Sequence, residues 1–184
     1  MKCALCQLGK PLHNSHIIPE FFYKLIYDNL HRFHVISTDS SKPETFGQKG
    51  VREKLLCNAC EQKFGRWEKY AKEAFAEGRG IKIVRHNKHF KLENLDYRRF
   101  RLFLLSLLWR MGVSELDFFS LTDLGDKHLE KLRIALLNED PLEPQQYPCL
   151  MSIVKIKGTV HMDWISQPMH HKSKDGYRLV VTIG

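Results

Sequence analysis

Three segments of the chain carry apolar residues at the spacing of an α-helix. The first predicted helix covers 58–77 and ends at a Gly-Arg-Gly sequence. A second helix, capped by Asn94 or Asp96, runs to Arg110 with apolar residues on almost every face, which predicts that protein encloses it. A third helix, more amphipathic and more acidic, is predicted over 126–138.

The segments between these helices have patterns typical of strands, turns and one further helix. Residues 17–30 show helical spacing, with a proline that a first helical turn tolerates. Residues 38–50 are rich in Ser, Lys, Pro and Gly, which predicts an exposed loop. Strands are predicted at 31–37, 52–56, 81–85, 150–157, 159–165 and 177–183.

Two Cys-x-x-Cys pairs indicate a metal site. Cys3 and Cys6 form the first pair, and Cys57 and Cys60 form the second, at the start of the first long helix. Thiolates at i and i+3 on a turn can both reach one ion at about 2.3 Å, and two such turns complete a tetrahedron. Four sulfur ligands suit Zn²⁺ and leave no open position for chemistry, so the pairs predict a structural zinc site.

The composition favours a protein of a reducing compartment. No stretch approaches the ~18 uninterrupted apolar residues of a membrane span, and the first residues lack the long apolar region of a signal peptide. We therefore expect a cytoplasmic protein without a membrane partner, in which paired cysteines bind metal rather than form disulfides. Cys149, the fifth cysteine, is predicted to be an ordinary buried thiol.

The formal net charge of +8 is concentrated in one region. Residues 79–110 carry nine Lys or Arg and two Asp or Glu. Such an excess suits a polyanion such as nucleic acid, although a solvated basic face fits the pattern nearly as well. Arg98, Arg99 and Arg101 also lie in the first turns of a predicted helix, where the macrodipole favours acids, and a bound anion would relieve that conflict.

The N-terminal motifs follow one another in a recognisable order. The first Cys pair precedes S-H-I-I-P at 15–19, a variable loop follows, and L-C-N-A-C at 56–60 opens the helix. In this order and spacing the chain resembles the HNH endonucleases in their zinc-knuckle, treble-clef form. The resemblance covers about residues 1–75 and implies a nuclease that hydrolyses phosphodiester bonds, most readily in DNA and in a setting such as phage defence.

The resemblance and the patterns together predict an α+β fold. A ββα-metal (treble-clef) zinc module would occupy 1–78, and an accessory α+β region at 79–184 would pack on it. That accessory region would contain a helical segment and a small C-terminal antiparallel sheet. Many such nucleases pair to cut both strands or are joined to a sensing module, so a homodimer or a sensor protein is the expected protein partner.

The resemblance also implies roles for individual residues. His16 would be the general base that deprotonates the attacking water, since an imidazole accepts protons near neutral pH. A hard cation, Mg²⁺ or Mn²⁺, would hold the scissile phosphate. Ser15 stands where the family has an aspartate ligand, and Asn14 lies close enough to line the same site. Glu61, at the family's final His or Asn position, would supply a carboxylate to the cation, although the dipole at a helix N-terminus also favours an acid there.

Arg52 falls near the family's middle asparagine and cannot bind a cation, but it can grip a phosphate. The residues expected to contact nucleic acid are Arg52, Lys63, Arg79, Arg85, Arg98, Arg99 and Arg101.

Two other functions remain open at this stage. A zinc-ribbon protein that kept the fold and lost the catalytic cation would bind nucleic acid without cutting it, and Ser15 and Arg52 favour that interpretation. A protein adaptor, whose apolar helix over 96–111 packs against a partner, is the third hypothesis.

Overall fold

The structure, a computed structural model, describes residues 1–36, 41, 43–87, 89–152, 155–157, 159–160, 164–173 and 176–182. Within them the chain is a mixture of helices and small sheets, which confirms the predicted α+β class. The α-helices are α1 (Glu20–Tyr23), α2 (Asn58–Ala71), α3 (Tyr97–Val113) and α4 (Asp126–Leu137). None of the helices in the described part of the chain is long and apolar enough to cross a membrane.

The strands pair two by two. Within the described ranges, β1 (Leu12–His16) pairs with β4 (Arg52–Cys57), and four antiparallel hairpin-like pairs complete the set. These pairs are β2 (Phe33–Val35) with β3 (Thr45–Gly47), β5 (Lys82–Arg85) with β6 (Phe90–Glu93), β7 (Lys155–Ile156) with β8 (Thr159–Val160), and β9 (Met169–Ser173) with β10 (Gly176–Val180).

The chain divides into two compact units that interleave along the sequence. The first unit comprises Met1–Ser15, Lys54–Val113 and Leu124–Cys149. The second unit comprises His16–Glu53, Ser114–Asp123 and Leu150–Gly184. Each unit therefore draws on sequence from both sides of residue 78, and the predicted boundary at that residue stays a prediction.

The three long helices predicted from periodicity are confirmed in the first unit. The last turn predicted for α2 is a π-helix, Lys72–Ala76, so the helical run ends at nearly the predicted residue. Asp96 accepts the Arg99 backbone N–H at 3.0 Å, as expected of a residue that caps α3. Apolar side chains of α3 are buried on several faces, which confirms that protein encloses this helix.

Close packing joins α2, α3 and α4. The Phe64 ring of α2 lies edge-on to Trp109 of α3, with ring centroids 6.0 Å apart. Gly112 lets α3 approach the segment that contains α4, because a Cβ there would lie 2.8 Å from the side chains of Leu124 and Leu129. These contacts place the unit's core directly behind the helix that carries the second Cys pair.

Three predictions of local structure are wrong. The predicted helix over 17–30 is only the four-residue α1. After Tyr23 the chain continues in turns, and the Asp28 carboxylate accepts the backbone N–H groups of Leu30 and Arg32. The predicted loop over 38–50 contains β3, which pairs with β2. Cys149, predicted to be buried, is exposed and lies in the irregular segment that follows α4.

Candidate metal centre and active site

The four cysteines of the two Cys-x-x-Cys pairs lie together in the first unit. Their sulfur atoms are all within 4.8 Å of one another, and the Sγ atoms of Cys6 and Cys57 are 3.8 Å apart. Two sulfurs of a tetrahedron with metal–sulfur bonds of about 2.3 Å are separated by about 3.8 Å. The cluster therefore has the size that a tetrahedral zinc site requires.

Local backbone structure sets the position of each thiol. Cys3 and Cys6 lie on a tight turn closed by the Gln7 N–H to the Cys3 carbonyl, with Gln7 itself in the left-handed region at φ 60°. Cys57 ends β4, and Cys60 lies in the first turn of α2. A strand end and a helix start therefore hold one half of the cluster, and a closed turn holds the other.

The thiols of the cluster differ in how readily they ionise: the pKa is raised for Cys3 and Cys60, chiefly by burial, and lowered for Cys57. Burial opposes ionisation of Cys57, but hydrogen bonds from the Cys60 backbone and from the neighbouring thiols outweigh it and lower the pKa of Cys57 to about 7. Burial, followed by hydrogen bonds with the other thiols, raises the pKa of Cys60. The Cys57 backbone N–H also points at the Cys3 sulfur at 3.4 Å. A bound cation would draw the remaining protons from the set, so these residues fit the structural zinc that the sequence predicts.

Ser15 is occupied by the strand pair that precedes the cluster. Its side chain is buried, and its hydroxyl accepts the Leu56 backbone N–H at 3.1 Å and points toward the His13 carbonyl at 3.4 Å. This hydroxyl therefore ties β1 to β4 next to Cys57. Asn14, its neighbour on β1, is exposed.

His16, the last residue of β1, lies in the second unit in contact with a carboxylate. Its Nε2 atom contacts Glu20 Oε2 and also lies 3.2 Å from the Lys49 carbonyl. Both partners are hydrogen-bond acceptors, so a proton on Nε2 would be shared with them. These two contacts fix the position of the His16 ring.

Glu20 is the centre of this polar cluster. The Tyr27 hydroxyl donates to its Oε1 at 2.8 Å, and Arg52 Nη2 donates to its Oε2 at 3.2 Å. Burial raises the pKa of Glu20, but the hydrogen bond from Tyr27 and the interactions with His16 and Arg52 outweigh it and lower the pKa. In turn, burial and the bond to Glu20 raise the pKa of Tyr27 to about 12. Glu20 is thus held as a carboxylate.

Sequence reasoning missed Glu20. The usable signal was its spacing, since an acid four residues after His16 returns to the same side once the chain turns into a helix. That signal was hidden because the preceding Pro19 was interpreted only as the tolerated proline of a longer helix.

Glu61 follows Cys60 in the first turn of α2, as predicted, and its Oε1 atom is buried without a hydrogen-bond partner. The predicted meeting of Glu61 with His16 stays a prediction, since the two residues belong to different units.

The residues predicted to contact nucleic acid differ in exposure. Most of the exposed ones also have protein partners: Arg79 pairs with Glu77, Arg98 donates to the Glu139 carbonyl and Arg99 pairs with Asp96. The expectation for Arg101 is wrong, because it is only 3% exposed and donates to the carbonyls of Pro141, Gln146 and Tyr147. Lys63 is also engaged, donating to the Leu137 carbonyl at 2.5 Å near the end of α4. The side chains that stay exposed are Arg79, Arg85, Arg98 and Arg99.

Arg52 is engaged as well. Its Nη2 atom donates to Glu20, and its Nε atom donates to the Lys49 carbonyl at 2.6 Å.

Comparisons with models of known protein families, with curated proteins and with solved structures found no match to this chain.

Proposed function

We propose that this chain is a metal-dependent HNH-type endonuclease that hydrolyses phosphodiester bonds in DNA, acting in the cytoplasm and serving a purpose such as phage defence. The observation that carries the proposal is the set of contacts made by the His16 ring. Its Nε2 atom lies against two acceptors, the Glu20 carboxylate and the Lys49 carbonyl, which hold the imidazole ring in position. A histidine fixed in this way is suited to remove a proton from water.

The four-cysteine cluster supports the same proposal from the structural side. A closed thiolate site has no free position for a substrate, so the role proposed for it is to fix β4 and the start of α2. The hydroxyl of Ser15, which accepts the Leu56 N–H, ties β1 to this fixed frame within the first unit.

The reaction would also use a hard cation, Mg²⁺ or Mn²⁺, which stabilises charge on the phosphate and the leaving oxygen. Among the described residues the cysteines are the one cluster of three or more His, Cys, Asp or Glu close enough to surround an ion, so no second cage is preformed there. Mg²⁺ commonly takes one or two carboxylates and completes its shell with water and substrate phosphate. Glu61 would hold it, since its buried Oε1 lacks a partner.

The alternative is a zinc-ribbon protein that binds nucleic acid or a partner protein without catalysis. The observation in its favour is Ser15, whose hydroxyl is consumed by the strand pair, so that the family's aspartate position supplies no ligand. Exposed arginines such as Arg79 and Arg99 would serve binding alone.

The test is cleavage of supercoiled plasmid by purified protein with Mg²⁺ or Mn²⁺. Wild type should nick or linearise the plasmid, and His16→Ala and Glu61→Ala should each reduce the rate by about 100-fold or more, the usual contribution of a general base or a metal ligand. His34→Ala is the matched control, since this exposed histidine of the same unit pairs with Phe46 on the β2–β3 hairpin.

Three outcomes separate the hypotheses. Intact plasmid with both cations counts against the nuclease. DNA binding that weakens steeply with salt, without cleavage, favours the zinc-ribbon binder. Equal cleavage by wild type and His16→Ala would remove His16 from the reaction.

A further inference from the structure

We propose that Glu20 is the positioning residue of His16, aligning the imidazole and stabilising the charge that it acquires when it takes a proton from water. This inference rests on the proposed function, but it assigns a role that the HNH resemblance does not supply, since Glu20 lies outside the matching motifs. It also gives Arg52 a new role, as a support of the Glu20 carboxylate rather than a phosphate contact.

The first step is that Glu20 cannot rotate freely. Oε1 is held by the Tyr27 hydroxyl at 2.8 Å and Oε2 by Arg52 Nη2 at 3.2 Å. A carboxylate with a donor on each oxygen has one favourable plane, and His16 Nε2 meets the Oε2 side of that plane. The ring orientation of His16 is therefore set by groups that do not touch the reacting water.

The second step is that the supporting loop is itself fixed. The Tyr23 hydroxyl accepts the Val51 backbone N–H at 3.0 Å, and the Tyr23 ring packs against Gly50, where a Cβ would come within 2.7 Å. Gly50 has φ +64°, a conformation that glycine adopts without strain. The adjacent Lys49 carbonyl, which contacts both His16 and Arg52, is thereby held in place.

The third step is the chemistry. As the water oxygen forms its bond to phosphorus, its proton passes to the His16 ring. The bond from phosphorus to the leaving oxygen breaks, and the leaving oxygen keeps the electron pair and takes up a proton from solvent. The ring then carries a positive charge, and the ionised Glu20 beside Nε2 stabilises it in a partly buried setting. The titratable and charged groups that face Glu20 are His16, Tyr23, Tyr27, His31 and Arg52.

The test compares Glu20→Gln with Glu44→Gln. The glutamine can keep its oxygen toward His16 and Arg52 and turn its amide toward the Tyr27 hydroxyl, which accepts, so the replacement removes charge and preserves shape. Glu44 is an exposed glutamate of the same unit. The readouts are plasmid cleavage against pH and NMR titration of the His16 ring, whose signal is identified by its loss in His16→Ala.

We expect Glu20→Gln to lower kcat by about tenfold with little change in KM, because a charged hydrogen bond becomes a neutral one. The acid limb of its pH–rate profile, and the pH at which the His16 signal titrates, should both move to lower pH than in wild type. Glu44→Gln should change neither quantity.

The NMR readout does not need an active nuclease. If wild type leaves the plasmid intact while the His16 titration still moves to lower pH in Glu20→Gln alone, the nuclease proposal fails and the action of Glu20 on His16 stands. If the titration is the same in wild type and Glu20→Gln, or if cleavage keeps its rate and pH profile, the role of Glu20 is refuted.

Discussion

The ion pair between Glu68 and Arg110 offers a quantitative test of how the first unit is stabilised. Arg110 on α3 is 2% exposed, and its Nη1 atom lies 2.6 Å from Glu68 Oε1 on α2. The guanidinium also contacts the Ser106 carbonyl at 3.3 Å and lies over the Phe64 ring, 5.5 Å from its centroid. Replacing Glu68 with Gln would leave this buried cation facing a neutral oxygen.

The expected loss follows from burial. Removing one partner of a buried pair costs about 3–5 kcal/mol, whereas an exposed pair contributes about 0–1 kcal/mol. The Glu68 side chain is 24% exposed, so water reaches part of it, and Gln keeps an acceptor. These two facts reduce the expected loss to about 2 kcal/mol. For a chain of this length that corresponds to a fall in Tm of about 4–8 °C.

The assay is urea unfolding followed by tryptophan fluorescence. Trp67 and Trp109 are buried in the first unit and report its unfolding, while Trp164 lies in the second unit and is 44% exposed. Glu73→Gln is the matched control, because Glu73 lies one turn further along and pairs at 4.0 Å with Lys69, whose side chain is 76% exposed. Equal losses for Glu68→Gln and Glu73→Gln would refute the argument from burial.

The remaining predictions concern the metal, a helix contact and pH. Native mass spectrometry of the purified protein should show about one zinc per chain. A chelator should remove the zinc from Cys60→Ser but not from Cys149→Ser, which changes the exposed cysteine outside the cluster. Retention of zinc by both variants would contradict the site. Gly112→Ala should destabilise by about 1–2 kcal/mol in the same unfolding assay, because its Cβ would press on two leucine side chains. At Gly65 an added Cβ would meet no atom within 4 Å, so Gly65→Ala should raise the free energy of unfolding by up to about 1 kcal/mol. A decrease in this free energy would count against the packing argument. The lowered pKa of Glu20 means that its ionised form stabilises the fold above the ordinary value of 4.5 and that this contribution is lost as pH falls through the folded pKa. Circular dichroism of urea unfolding at about pH 5 and about pH 3 should therefore show a larger loss of stability in wild type than in Glu20→Gln, and parallel losses would refute it.

Local patterns sufficed for the long helices and for the zinc ligands. The helix from Asn58 was predictable because its apolar stripe and the Gly78 that follows it act within a few turns of chain. The four cysteines were predictable because metal coordination imposes the same short spacing twice. In both cases the residues that carry the signal are neighbours in sequence.

Interactions between distant segments were not predictable in the same way. Arg101 was expected to meet phosphate because it lies near a helix start, but its partners are carbonyls forty or more residues later. Glu20 acquires its role from Arg52, which is 32 residues away. Neither pairing produces a periodic sequence pattern, since a single contact between distant residues does not fix the spacing of the residues around it.

Helix α4 of the first unit has a consequence for attempts to transplant the zinc knuckles. Arg133 of α4 donates to the Leu5 carbonyl inside the first Cys pair at 2.8 Å, and Lys63 of α2 donates to the carbonyl of Leu137. A peptide cut after residue 78 would lack both α4 contacts and would expose the apolar side of α2. Metal affinity and helix docking are thus thermodynamically linked, so the excised knuckles should bind zinc less tightly than the intact chain.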